Sequence, residues 1–133
     1  MNETSIWNGY TVHGDVKELD KIITESGTIN LDGNDIICVL SAEGENWISA
    51  EDNINIGDAF KGAVSRLPFT IDKANYILID FRCGSKKPDM SEFSIVSESL
   101  SKAIADVDVI WGMSNDDTLG EKSKVVLVVS AQI

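Results

Sequence analysis

The feature that most constrains the fold is the alternation of short apolar runs with amphipathic segments of helical period. Four runs rich in β-branched residues are predicted as strands, at 35–41 (DIICVLS), 76–81 (YILIDF), 107–113 and 123–131. The segments 56–67 and 90–104 repeat apolar residues every three or four positions and are predicted as helices. Strands joined through helices pair in parallel, with right-handed crossovers. The last two strands follow each other through a short loop and are predicted as an antiparallel hairpin.

This order predicts an α/β (α+β) domain of two layers. A leading helix from Asp15 is followed by β-α-β-α-β-β, which gives a four-stranded mixed sheet with two helices on one face. Residues 1–12 are expected to form a flexible N-terminal segment and residues 13–133 the domain. Trp111, within a predicted strand, is expected in the core, whereas Trp47 is expected in an exposed polar loop.

Charge excludes several classes of partner. The chain has 22 acidic and 11 basic residues and a formal charge of −11, which repels nucleic acid and anionic lipid surfaces. No apolar run approaches the ~18 residues that a membrane span requires. The amino terminus has neither a basic leader nor an apolar stretch of signal-peptide length. We therefore expect a cytoplasmic protein with no nucleic-acid or membrane partner.

The cysteines and the acidic hairpin loop offer no metal site. Cys38 and Cys83 lie in or at the end of apolar runs without CxxC spacing, which favours buried, inert thiols. Asp116, Asp117 and Glu121 lack the spacing of a calcium loop and are interpreted as a solvated turn. The sequence therefore predicts neither a metal nor a cofactor.

Several stretches in order resemble one known domain. The end of the chain, ADVDVIWGMSNDDTLGEKSKVVLVVSA, is similar to a strand reading like NIIFGAV, an acidic turn and a strand reading like VRVTVIATG. The stretches NINIGDAFKGAVSRLPFTIDKANYILIDFRCG and DMSEFSIVSESLSKAIAD resemble the segments that precede them. The segments that these stretches resemble all belong to the C-terminal domain of FtsZ, the bacterial tubulin-like cell-division GTPase. The resemblance covers residues 9–131 and implies the FtsZ C-terminal, chorismate-mutase-like fold.

The resemblance also reaches the loop before the first helix. GYTVHGDVKELDKIITESGTI is similar to GLINVDFADVKTIMSNQG, whose Asn-x-Asp-x-x-Asp pattern reaches the GTP of the adjacent filament subunit and polarises the attacking water. Asp15 and Glu18 match the two acids, and His13 stands in place of the Asn. The resemblance implies that Asp15 and Glu18 are catalytic in trans. As an alternative, Asp15 caps the helix and forms a capping box with Glu18, without any function.

The GTP-binding half of that family has no counterpart here. No glycine-rich phosphate loop occurs in the chain, so the isolated chain is expected to bind neither GTP nor GDP and not to be an enzyme by itself. The resemblance implies a non-enzymatic assembly and interaction domain, excised from or related to a cell-division GTPase, with an FtsZ-type GTPase as partner. We expect a monomer when the domain is isolated.

Two aromatic side chains are candidate interaction residues. His13 is the single histidine, and Trp47 is an indole in a polar stretch, although a plain loop residue and a packed anchor are the simpler interpretations. An alternative function is a chorismate-mutase-like oligomer that binds a small metabolite. That site requires arginines for a carboxylated ligand, and the chain offers only Arg66 and Arg82.

Overall fold

The computed structural model describes residues 4–24, 31–86, 90–103 and 107–132. The end predicted for the helix 90–104 lies outside this part of the chain. The elements within it are β1 (Thr4–Trp7), β2 (Tyr10–Gly14), α1 (Glu18–Thr24), α2 (Gly33–Leu40), β3 (Glu45–Asn53), α3 (Ile56–Ser65), β4 (Ala74–Cys83), α4 (Met90–Ala103), β5 (Asp108–Asn115) and β6 (Ser123–Ala131). Short 3-10 turns precede β4 and β6.

The strands form one mixed sheet in the order β1-β2-β3-β6-β4-β5. Strand β6 lies in the middle and pairs antiparallel with both β3 and β4, whereas β2 with β3 and β4 with β5 are parallel pairs. The α/β class is confirmed, but the described sheet has six strands instead of four. The predicted hairpin of the last two strands is wrong, because β4 lies between β5 and β6.

The apolar run 35–41 is a helix, not the predicted strand. Asp32 begins α2 with a capping box, in which its carboxylate accepts from the Asp35 N–H at 3.1 Å and the Asp35 carboxylate accepts from the Asp32 N–H at 2.9 Å. Ile36, Val39 and Leu40 are buried, at the spacing of one helix face. A run of five apolar residues, 36–40, is too short for its period to separate helix from strand.

The stretch predicted as a polar loop contains the central strand β3. Its polar side chains interrupt the apolar alternation by which a strand is predicted. They are nevertheless buried, because they form hydrogen bonds with neighbouring helices. Ser49 Oγ donates to the Ala63 carbonyl of α3 at 2.6 Å, and Asn46 Nδ2 donates to the Leu40 carbonyl of α2 at 3.0 Å. A polar residue is compatible with a buried strand when another element satisfies its hydrogen bonds.

Helices cover both faces of the sheet, so the predicted two-layer arrangement is wrong. Helices α3 and α4 pack on one face, against a core that includes Ile77, Ile79 and Leu127. Helices α1 and α2 pack on the other, against a core that includes Leu78 and Val128. Successive side chains of a strand point to opposite faces, and β4 and β6 are apolar at both. Such strands need cover on each side.

The beginning of the described chain is part of the sheet. Strands β1 and β2 pair through the turn at Asn8 and Gly9, both of which have positive φ. The segment predicted to be flexible, residues 1–12, includes β1 and the start of β2, and β2 runs across the predicted domain boundary at residue 13. Gly14 ends β2 at φ 93°, where a Cβ atom would lie 2.2 Å from the Ile48 carbonyl oxygen. This close approach requires glycine.

Trp111 is exposed, not in the core as predicted. It lies on the edge strand β5 with 50% of its surface accessible, and its ring meets that of Phe81 edge-on at 6.4 Å. We expect Trp111→Ala to lower the free energy of unfolding by about 1 kcal/mol or less, because half of the side chain is already in water. Urea unfolding measures this value. The control Ile79→Ala, at a buried neighbour, should cost about 2 to 5 kcal/mol.

Candidate functional site

A polar cleft of about 330 Å³ lies at one end of the sheet. It is bordered by the loop that leads into α1, the end of β3, the C-cap of α3 and the start of β6. Charged side chains of both signs surround it, namely Asp15, Lys17, Glu18, Glu51, Asp52, Arg66 and Lys124. The cleft therefore brings together the two acids that the resemblance singled out, although they have different partners.

Asp15 is fixed by the backbone and faces the cleft. The Ala50 N–H of β3 donates to Asp15 Oδ2 at 2.9 Å, and the Asp15 N–H donates to the Ile48 carbonyl at 2.8 Å. Arg66 Nη2 lies 3.4 Å from each carboxylate oxygen. The side chain keeps 25% of its surface accessible. Asp15 is therefore a positioned carboxylate that solvent or a ligand in the cleft can reach.

Glu18 is tied to the sheet. Arg82 Nη1 donates to Glu18 Oε2 at 2.5 Å, and Lys124 Nζ donates to Glu18 Oε1 at 2.9 Å. Arg82 also donates from Nη2 to the Glu18 carbonyl at 3.2 Å. The predicted capping box is wrong, because the described contacts of both carboxylates are with β3, β4, β6 and the C-cap of α3.

A buried ionic network extends from Glu18 into the sheet. Arg82 is fully buried, and its Nε donates to Asp80 Oδ2 at 2.8 Å. Ser114 Oγ of β5 donates to Asp80 Oδ1 at 3.3 Å. Two acids and two bases thus balance in charge, and they join α1 to β4, β5 and β6. Buried ions require such partners, because an unpaired charge in the interior is costly.

The network shifts the pKa values of its two acids in opposite directions. Burial raises the pKa of Glu18, but the Lys124 hydrogen bond and the positive charges of Arg82 and Lys124 together hold it below its usual value. Burial raises the pKa of Asp80 and outweighs the opposing bonds from Arg82 and Ser114. A carboxylate with a lowered pKa is a weaker proton acceptor. Glu18 is therefore better suited to hold α1 in place than to act on water.

His13 and Trp47 lie side by side on the parallel strands β2 and β3, away from the cleft. Their ring centroids are 4.9 Å apart, and Thr4 Oγ1 lies 2.9 Å from His13 Nδ1. Trp47 is not in an exposed loop as expected. Its ring packs edge-on against Phe69, and its indole N–H is buried with no hydrogen-bond partner in the part of the chain that the structure describes. Whether either residue contacts a partner stays a prediction.

Asp80 and Lys124 were missed as functional candidates in the sequence, and Arg82, like Arg66, was considered only as a possible ligand for a metabolite. Asp80 and Arg82 stand two positions apart in an otherwise apolar strand, which places both on one face and signals a buried ion pair. Lys124 has no local signal, because its partner Glu18 is 106 residues away in sequence. The contact of Arg66 with Asp15 spans 51 residues.

The described residues contain no group of three or more His, Cys, Asp and Glu side chains arranged to hold a metal ion. No described helix is long and apolar enough to cross a membrane. Cys83 is buried as predicted, whereas Cys38 is exposed, because the run predicted as a strand is the helix α2 and Cys38 lies on its outer side.

No family model matches the chain, but individual proteins do. It is 28% identical over 120 residues to cell division protein FtsZ 1 of Thermococcus kodakarensis. The aligned residues cover 86% of this chain and 32% of that protein. It is 30% identical over 117 residues to FtsZ of Porphyromonas gingivalis. The aligned residues cover 83% of this chain and 26% of that protein. The chain thus spans about a third or less of the length of these relatives.

Solved structures give the same result. An FtsZ dimer of M. jannaschii matches with a TM-score of 0.71 and 26% identity, over 87% of this chain and 35% of that chain. CetZ of Methanosaeta thermophila matches with a TM-score of 0.68 and 18% identity over 89% of this chain and 34% of that chain, which supports the fold alone. The predicted resemblance to FtsZ is confirmed, and the matched share fits a C-terminal fragment. The chain is related to cell-division proteins of the tubulin-like cytoskeleton.

Proposed function

We propose that this chain is a cytoplasmic, non-enzymatic assembly and interaction domain of the FtsZ type, monomeric when isolated, whose partner is an FtsZ-type GTPase. The relatives that it resembles are cell division proteins, and the chain spans only about a third of them. Such a domain acts on a filament through the surface that corresponds to a contact surface of the filament's own subunits. We place that surface around the cleft at Asp15.

The observation that carries the proposal is the setting of Asp15. Its carboxylate is fixed by the Ala50 N–H and is accessible from the cleft, which is how a group that orients water is held. Glu18 has its carboxylate bound to Arg82 and Lys124. Of the two acids that match the family's pattern, Asp15 is therefore the one that acts on the partner's GTP. Glu18 is a positioning residue.

The chemistry assigned to Asp15 is modest. Its carboxylate accepts a hydrogen bond from a water molecule and turns the water oxygen towards the terminal phosphorus of the partner's nucleotide. The new P–O bond forms as the bond to the bridging oxygen breaks, GDP leaves with that electron pair, and the proton of the attacking water goes to an oxygen of the released phosphate. The partner must supply the nucleotide site. The domain therefore docks on the end of a filament that exposes nucleotide, and it offers no second surface for growth.

The alternative function, a metabolite-binding oligomer, has weaker support. A carboxylated ligand requires accessible guanidinium groups. Arg82 is fully buried and bonded to Glu18 and Asp80, which leaves Arg66 as the accessible arginine. No second, converging arginine is available to such a ligand, because the chain contains only these two arginines.

We expect Asp15→Asn to abolish the stimulation of GTP hydrolysis by a partner FtsZ. The amide keeps the size of the side chain but lacks the charge that orients water. The measurement is phosphate release by polymerising FtsZ 1 of Thermococcus kodakarensis with increasing amounts of the domain. The control Asp108→Asn makes the same charge change on an exposed residue at the opposite end of the sheet. Equal stimulation by the wild-type and Asp15→Asn domains would contradict the role of Asp15.

A further inference from the structure

We propose that Arg66 is the contact between the cleft and the terminal phosphate of the partner's nucleotide, and that its guanidinium moves from Asp15 to the phosphate when the two proteins meet. This inference rests on the proposed function. It adds a residue that recognises the nucleotide itself, and it explains how Asp15 becomes free to bind water.

Arg66 is held loosely at the rim of the cleft. It is the C-cap residue of α3, and its side chain keeps 41% of its surface accessible. Its Nη2 lies 3.4 Å from both oxygens of Asp15, and its Nη1 lies 3.9 Å from Glu51 Oε2. These separations are at or beyond the outer limit of a hydrogen bond, and partly exposed pairs of this kind stabilise weakly. A phosphate can therefore compete for the guanidinium.

Asp15 does not depend on Arg66 for its position. The Ala50 N–H donates to Oδ2 at 2.9 Å, and the backbone of Asp15 is bonded to the Ile48 carbonyl. When the guanidinium leaves, the carboxylate keeps its place and loses the cation that neutralises it. An uncompensated carboxylate is a better acceptor for a hydrogen bond from water.

The other cations near the cleft are less suited to this contact. Arg82 is buried, and Lys124 is bonded to Glu18 at 2.9 Å and is 22% exposed. Lys17 is exposed, but an ammonium group lacks the planar fork with which a guanidinium binds two phosphate oxygens. Arginine at this position also follows a general rule of phosphoryl transfer, in which a guanidinium stabilises the charge that develops on the phosphate.

Arg66 offsets the repulsion between the acidic cleft and the nucleotide. Four carboxylates border the cleft, from Asp15, Glu18, Glu51 and Asp52. Repulsion between fixed charges at close range is screened little by salt, since the Debye length is about 8 Å at physiological ionic strength. The guanidinium stays protonated throughout, so no proton is transferred through Arg66. It contributes N–H donors and one positive charge.

The test compares filaments of the partner FtsZ that carry a slowly hydrolysed GTP analogue with filaments that carry GDP. The affinity of the labelled domain for each is measured at constant salt. We expect the wild-type domain to bind the analogue-loaded filaments about tenfold tighter, because only they present a third, γ-phosphate to a guanidinium. Arg66→Gln should bind both alike. Glu51→Gln, which frees the guanidinium from its second carboxylate, should keep or enlarge the preference.

Two further variants separate contact from positioning. Asp15→Asn should keep the nucleotide preference while abolishing stimulated phosphate release, whereas Arg66→Lys should restore only part of the preference. If the wild-type domain stimulates hydrolysis through Asp15 but Arg66→Gln retains the nucleotide preference, Arg66 is not the contact and the proposed function stands. If the wild-type domain neither binds nor stimulates, both proposals are overturned. Thermal unfolding of each variant verifies that it is folded.

Discussion

Replacing Arg82 with methionine is expected to lower the free energy of unfolding by about 3 to 5 kcal/mol. Among the described residues, Arg82 is the one cation that contacts both Glu18 and Asp80, and its removal leaves both acids in a site from which water is largely excluded. Lys124 compensates only Glu18. The cost comes from leaving the buried Asp80 without the cation that pairs with it, more than from the lost attraction, because a buried ion pair by itself contributes little net stability.

Urea unfolding of the wild-type, Arg82→Met and Arg66→Met proteins measures this difference. Arg66 is the matched control, because it is also an arginine paired with two acids but is 41% exposed, so its loss should cost under about 1 kcal/mol. The triple variant in which Glu18→Gln and Asp80→Asn accompany Arg82→Met should recover much of the loss. Equal losses for the two single arginine variants would show that burial of the network does not control stability.

Trp47→Ala is expected to lower the free energy of unfolding by about 3 kcal/mol. The indole packs between His13 and Phe69 on a central strand, and its removal leaves a cavity between the sheet and the chain that follows α3. Trp47→Phe is the matched control. It keeps an aromatic ring in place and removes the indole N–H, which is buried and has no partner among the described residues, so it should cost under about 1 kcal/mol.

Comparison of Trp47→Ala with Trp111→Ala checks the placement of both tryptophans. The free energy of unfolding lost in Trp111→Ala, at the half-exposed edge residue, should be about a third of that lost in Trp47→Ala, or less. A larger loss at Trp111 than at Trp47 would contradict the strand assignments of β3 and β5. The change in urea midpoint at constant slope gives both values.

Elements with a long and regular pattern were predicted correctly. Helices α3 and α4 and strands β4 and β6 have a sustained apolar period, and the structure places them within a few residues of the predicted bounds. Elements whose local sequence pattern conflicts with their tertiary contacts were not predicted correctly. The run that forms α2 is as β-branched as a strand, although the structure begins it with a capping box at Asp32. Strand β3 tolerates buried polar residues, because their side chains form hydrogen bonds with helices elsewhere in the chain.

The candidate site was partly visible in the sequence. The resemblance to FtsZ singled out Asp15 and Glu18, and the structure brings both to one cleft. Their different settings could not be predicted, because the partners that distinguish them, Arg66, Arg82 and Lys124, are between 51 and 106 residues away along the chain. Pairing of this kind depends on the order of strands in the sheet. The sequence pattern gave no reason to insert β6 between β3 and β4.

Sedimentation of polymerising FtsZ in the presence of the domain tests most directly whether the chain joins an FtsZ filament. FtsZ 1 of Thermococcus kodakarensis is polymerised with GTP, the domain is added up to a large molar excess, and the mass of pelleted polymer is measured. The proposed function predicts that polymer mass falls with increasing domain, because a subunit without a nucleotide surface stops growth at the end that it occupies. Polymer mass that stays unchanged at large excess, with no domain in the pellet, would contradict it.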